Sequence, residues 1–316
     1  MGPLKARLTL YIFSFNLKKF IINILIFASI ILLGLYFLDW YFTSTFKEGK
    51  TNKTQWLEGK SNNHYDVAII GSSRAWWNID MGEINTKLDL NGINIANNHF
   101  SYSEMHLRLK RMYENGNSIK KLFVQTEYWE SFSDSAELST TSYNYLPYLD
   151  DSTTYNHLKN KSSEWILYKH FPFWRYAEYN FQWGPEEFLI TKMNMRNSIF
   201  DSTGTFFTND EFYGSDSWNP TEPDTNAINK DFDDFLSFCQ EKSIEVHVFT
   251  APIYHATINL KLQKDFEQIL KSRNYYYDNY INLYSDSSYF NDNTHLSRKG
   301  GKFFTKTLME KVSLIE

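Results

Sequence analysis

The sequence predicts an α/β domain with a parallel five-stranded sheet flanked by helices, carried behind one N-terminal transmembrane helix. Three observations predict it. Residues 20–38 form an uncharged apolar run. Short apolar runs recur at 65–71, 92–96, 121–129, 244–254 and 275–282. Amphipathic stretches at 226–242, 262–270 and 298–313 lie between or after the later runs. Short buried runs alternating with helices are the pattern of right-handed βαβ crossovers in a parallel sheet.

Taken in order, the first element is the apolar run FIINILIFASIILLGLYFL, whose only strongly polar residue is Asn23. At about 1.5 Å per residue it reaches nearly across a hydrocarbon core of about 30 Å. Trp40, Tyr41 and Phe42 follow and suit an interfacial aromatic belt. Lys5, Arg7, Lys18 and Lys19 precede it without an acid, which predicts a single-pass protein with a cytoplasmic N-terminus and an extracytoplasmic, periplasmic domain. A cleaved signal peptide is the alternative, but the run exceeds an h-region of about 7–15 residues and TSTFKEG offers no A-x-A cleavage site. A buried core helix would keep a polar face, which this run lacks. The expected division is a basic segment at 1–19 suited to the inner membrane surface, an anchor at 20–42, a polar linker at 43–62 and the α/β domain at 63–316.

YDVAIIG at 65–71 reads as the first buried strand, GINIA at 92–96 as the second and KLFVQTEYW at 121–129 as the third. Residues 131–225, rich in Tyr, Trp, Asn, Ser and Asp, lack clear periodicity apart from a helix expected over 159–179. They are read as an insertion over the strand ends, a lid or substrate platform. Ile228, Phe232, Phe235, Leu236 and Cys239 then share one helix face. IEVHVFTAPIY is the fourth strand, stopped by Pro252, and YYYDNYIN the fifth, before a closing helix at 298–313.

Composition narrows the function. The net charge of −5 and the lack of a basic stripe argue against nucleic acid as a partner. Cys239 is the sole cysteine, which excludes an internal disulfide and a multi-Cys metal site; its place on an apolar helix face predicts a buried thiol. His99, His106, His247 and His255 show no metal-ligand spacing. With 18% aromatic residues, rings are available both for the core and for stacking on sugar faces.

Sites in parallel sheets form at the carboxyl ends of strands. The first strand ends in Gly71-Ser72-Ser73-Arg74, a turn that exposes a serine at a helix start. Near the C-terminus, Asp292-Asn293-Thr294-His295-Leu296-Ser297 precedes the last helix. A carboxylate three residues before a histidine can orient the imidazole on a loop, leaving the other ring nitrogen to take a proton from serine. Arg74 could meet an anionic substrate, or pair with Asp80 or Glu127; the ion pair is the expectation. Trp76 and Trp77 are divided between core and pocket lining, with Trp77 the lining candidate. Glu127 follows the third strand, where it faces either a substrate or solvent.

Together, GSSR at 71–74 and DNTHLSRKGG at 292–301 resemble the SGNH (GDSL-like) hydrolase superfamily, over roughly residues 64–130 and 226–313. The resemblance implies a flavodoxin-like sheet, with Ser73 as nucleophile, His295 as general base and acid, Asp292 as its orienting partner, and no cofactor or metal. Members usually supply a Gly after the second strand and an Asn after the third to the oxyanion hole. Here Asn97-Asn98-His99 and Gln125-Thr126-Glu127 stand there, so the Ser73 N–H with Asn98 or Gln125 becomes the expected donor set. Anchor and domain together are similar to membrane-tethered members related to the D-alanyl transfer protein of teichoic-acid modification and to polysaccharide acetyltransferases. That similarity implies O-acyl transfer or ester hydrolysis on an envelope or exported polysaccharide. The partners implied are the membrane, a carbohydrate acceptor and a polytopic membrane-bound O-acyltransferase. A non-catalytic subunit of an envelope complex and a lipid esterase are the alternatives.

Overall fold

The computed structural model describes residues 3–132, 138–206, 212–214, 227–256 and 259–313, with side chains from residue 17 onward. Five strands, β1 (His64–Ile70), β2 (Gly92–Asn94), β3 (Ser118–Gln125), β4 (Glu245–Thr250) and β5 (Tyr276–Asn279), form one sheet in the order β2-β1-β3-β4-β5. Every pairing is parallel. The helices are α1 (Pro3–Lys47), α2 (Lys53–Glu58), α3 (Ser73–Trp76), α4 (Met81–Leu88), α5 (Tyr102–Glu114), α6 (Ser152–Lys159), α7 (Glu164–His170), α8 (Trp174–Glu178), α9 (Asn180–Trp183), α10 (Pro185–Lys192), α11 (Lys230–Glu241), α12 (Leu260–Ser272) and α13 (Arg298–Ser313).

The continuous apolar runs of β1, β3 and β4 follow from burial on both faces. On one face Ala68, Ile70, Leu122 and Val248 pack with Leu109 of α5, Phe235 of α11 and Phe266 of α12. On the other, Val67, Ile69 and Phe123 pack with Ile84 of α4 and Phe304 of α13. Cys239 is buried in α11, as its helix face predicts. The order turns back on itself between β1 and β3, and such a reversal opens a crevice at the carboxyl ends of the flanking strands.

Several elements differ from the sequence reading. The third strand ends at Gln125 rather than 129, because the chain turns over a Glu130 N–H to Glu127 C=O bond. The helix expected over 159–179 is divided into α7 and α8: Pro172 cannot continue α7, and Phe173 adopts a left-handed φ of 65°. Helix α5 carries a capping box between Ser101 and Glu104, a Ser-x-x-Glu signal legible in the sequence.

The N-terminal helix is continuous from Pro3 to Lys47. Its Leu17–Lys47 part is long and apolar enough to cross a membrane, and the most apolar stretch of it is unburied. The expected linker at 43–62 is instead part of the fold. Thr43, Thr45 and Phe46 are buried at the end of α1, and α2 is set by a capping box between Asn52 and Gln55. Polar composition misled here because most of these polar groups, Thr45 Oγ1 excepted, are buried with partners. Gln55 Nε2 donates to Phe46 C=O at 2.8 Å. The Lys53 ammonium donates to Gly204 C=O and sits among the rings of Trp56, Trp76 and Phe200. Burial lowers its pKa well below the usual lysine range.

The described residues of the 131–225 insertion fall into more than one part. Tyr145, Leu146, Trp165, Tyr176, Trp183 and Phe188 form a separate core with Phe42 and Phe46 of α1 and Leu107 of α5. This part clasps the end of α1. A second part covers the edge of β2, where Asn94 N–H donates to Thr203 C=O at 2.8 Å. Residues 212–214 lie against the loop that carries His295, through a Tyr213 N–H to Asn291 C=O bond of 2.9 Å.

Candidate active site

The turn after β1 depends on Gly71. Its φ of +155° and its approach to β3 both exclude a side chain: a Cβ there would lie 2.7 Å from Gln125 Cβ and 2.9 Å from Ala75 Cβ. The two serines that follow have different roles. Ser72 caps α3 and is tied to β3, its N–H and Oγ reaching Gln125 Oε1 at 3.1 and 2.9 Å. Ser73 begins α3, where its N–H has no acceptor within the helix, and its Oγ points to the opposite loop.

That loop is built by short local bonds. Phe290 and Leu296 pair as an antiparallel bridge, and Asn291 N–H donates to His295 C=O at 2.9 Å. Asp292 Oδ1 accepts from the N–H groups of Thr294 and His295 at 2.7 and 2.9 Å. Buried Asn78 docks the loop against the end of α3, its Oδ1 accepting from Leu296 N–H at 3.0 Å. Sequence reasoning missed Asn78, whose role exists only once the two chain ends meet.

The outcome is a continuous chain of side-chain bonds. His295 Nε2 lies 2.7 Å from Ser73 Oγ, and His295 Nδ1 lies 2.8 and 3.0 Å from the two Asp292 oxygens. A carboxylate only accepts, so Nδ1 carries the proton and Nε2 presents its lone pair to the serine hydroxyl. Partial burial works to raise the Asp292 carboxyl, but bonds from the His295 ring and from the Thr294 and His295 N–H groups hold it down at about 2.

A carboxyl lowered from 3.8 to about 2 stabilises the fold above pH ~4, and that contribution is lost as pH falls through ~2. Its size is on the order of 1–2 kcal/mol after screening. Urea unfolding at pH 6 and pH 2.5 should show a smaller loss for Asp292→Asn than for the native chain; equal losses would contradict the assignment.

No family model matches this sequence, and no curated protein matches it.

A cleft of about 570 Å³ opens beside Ser73 and His295. Arg74, Gln125, Glu127, Phe100, Tyr102 and Trp129 contribute to its walls. From the insertion, among the described residues, only Ser139 reaches it. A shallower depression of about 640 Å³ lies between α5, α6 and α11. Beside it Ser103 Oγ meets His157 Nε2 at 2.8 Å, but that serine is buried and no described carboxylate bonds His157. The Ser73 pair differs on both counts.

The other sequence candidates are sorted by geometry. Arg74 makes the expected ion pair with Glu127, at 2.6 Å, and also donates to Ala251 C=O at 3.2 Å. Both partners of the pair are buried, so Glu127 is not a solvated group. Burial pushes the Glu127 carboxyl up, against the pull of Arg74 and Gln125. Gln125 is corrected as an oxyanion donor: its Oε1 holds the Ser72 turn, and its Nε2 donates to Glu127 at 2.8 Å. Asn98 has a buried Oδ1 without a partner and lies outside the cleft wall. Trp77 also lies outside that wall; its ring packs on the His295 imidazole, centroids 4.4 Å apart.

Trp77 thus limits imidazole rotation. A ring contact of this type is worth about 0.5–1.5 kcal/mol, so Trp77→Ala should slow any His295-dependent turnover by up to about ten-fold. Trp77→Phe should recover most of it. A rate equal to the native chain's for Trp77→Ala would remove this role.

Proposed function

We propose that this chain is a membrane-anchored serine acyltransferase or esterase of the SGNH type, acting outside the membrane on O-acyl groups of a polysaccharide. The observation that carries the reading is the Ser73–His295–Asp292 chain, at 2.7 and 2.8 Å, at the rim of a cleft beside the strand ends. The strand order matches the flavodoxin-like arrangement 2-1-3-4-5, which supports the superfamily assignment. The Leu17–Lys47 helix supports the anchor.

In the proposed reaction Ser73 Oγ attacks the carbonyl carbon of an acyl ester while its proton passes to His295 Nε2. Asp292 stabilises the imidazolium that results. The Ser73 N–H is the described donor best placed for the oxyanion, since Gln125 is committed to the turn. Collapse breaks the bond to the leaving alcohol, which takes the proton from His295 and leaves an acyl-serine. A sugar hydroxyl or water then attacks the acyl carbon and passes its proton to His295; collapse breaks the acyl–Oγ bond, and Ser73 Oγ takes that proton back.

A fluorophosphonate probe tests this directly. Intact-mass analysis should show one adduct, mapping to Ser73 and absent from heat-unfolded protein. No adduct on the folded chain would favour a non-catalytic subunit, a reading to which the commitment of Gln125 lends support.

A further inference from the structure

The collar that clasps α1 carries a feature the reaction does not use. The apolar run of α1 ends at Leu38, and Asp39 follows immediately. A carboxylate at that depth is costly unless paired. Arg175 pairs with it through Nη2 at 2.6 Å and Nε at 3.1 Å, and the Phe173 N–H adds a bond of 3.0 Å. These bonds hold the start of α8 at the level where α1 leaves its apolar stretch.

Helix α10 is held at the same level. Phe188 stacks on Phe42 with centroids 4.3 Å apart, and Lys192 Nζ lies 5.7 Å from the Tyr41 ring centroid. Side chains next to these contacts point outward without cover: Phe171 is 59% exposed, Trp174 48%, Leu189 55% and Met193 65%. Trp40 of α1, next in sequence to Asp39 and Tyr41, is 63% exposed. An aromatic and aliphatic patch with a lysine at its margin is the composition of a surface lying in a headgroup layer.

We infer that the face formed by the α7–α8 turn and the end of α10 is seated in the lipid interface around the exit of α1. The occupant is lipid, because the contacts of Phe173, Arg175 and Phe188 with Asp39 and Phe42 place these exposed side chains where α1 leaves the stretch whose exposed residues need hydrocarbon. The Asp39–Arg175 pair and the shared core make collar and helix one body, so the enzyme-like domain is held at a set tilt rather than swinging on a tether. This inference rests on the reading that α1 spans a membrane.

The test uses the full chain in phosphatidylcholine–phosphatidylglycerol vesicles, with an environment-sensitive fluorophore on one introduced cysteine. Cys239 is buried, and the unsubstituted chain controls for its labelling. The sites are Phe171→Cys and Met193→Cys on the patch, Leu33→Cys within α1, and Tyr276→Cys on edge strand β5, outside the collar core. Labels at 171 and 193 should be quenched by nitroxide-bearing lipid and several-fold less by aqueous iodide than the label at 276. Iodide access at 171 and 193 equal to that at 276, with 33 still lipid-quenched, would overturn the inference and leave the anchor intact. Labels at 171 and 193 shielded from both quenchers would also overturn it, in favour of a second copy of the chain. A label at 33 that lipid fails to quench would overturn the anchor and the inference together.

Discussion

Ser73→Ala is expected to lower ester turnover by about 10⁴–10⁶ and to abolish the fluorophosphonate adduct without changing the melting temperature. The size follows from the geometry. Among the described residues, the hydroxyl is the only atom within bonding distance of His295 Nε2 that can become a nucleophile, at 2.7 Å, and its removal leaves only binding and the backbone donor. His295→Ala should cost nearly as much, because the two act as a unit. The double variant should be little worse than either single variant, since both remove the same step. Kinetics on a soluble aryl ester, with intact-mass labelling alongside, would read all three. Full turnover by Ser73→Ala would end the catalytic reading.

The second large effect concerns stability. Glu127→Ala is expected to destabilise the domain by about 3–5 kcal/mol, because it strands a buried guanidinium. Arg74 is only 4% exposed, and its Nε already has no partner, so solvent replaces the lost carboxylate poorly. The same substitution removes the acceptor of Gln125 Nε2, which loosens the residue that fixes Ser72. Activity should therefore fall together with stability. Replacing both members, as Arg74→Met with Glu127→Leu, should recover much of the stability, since a buried pair contributes less than its breakage costs. Urea unfolding of the full chain reads both variants. A loss below about 1 kcal/mol for Glu127→Ala would mean that water reaches Arg74.

The strands and the Ser73–His295–Asp292 contacts were legible for different reasons. β1, β3 and β4 are buried on both faces, so their composition alone marks them. The serine and histidine were legible because each sits in a short local motif whose chemistry is carried by residue type. Helix α5 also had readable signals, a start in Ser101 and Glu104 and an apolar stripe of Tyr102, Met105, Leu109 and Met112. The roles of Gln125 and Trp77 were not legible. Each has two uses of equal chemical merit, and neighbours distant in sequence choose between them: Ser72 and Glu127 for the amide, His295 for the indole.

The same division runs through the whole chain. By itself the sequence determined the apolar helix and the parallel α/β pattern, and it singled out the local motifs that carry Ser73, Asp292 and His295, because burial and local spacing are written in composition and period. Only the tertiary structure decided that Ser73 reaches His295 while Ser72 is tied to Gln125, that Asn78 docks the two ends of the site, and that the polar stretch after α1 is buried. Those outcomes depend on contacts across as many as 222 positions of chain, which no local pattern encodes.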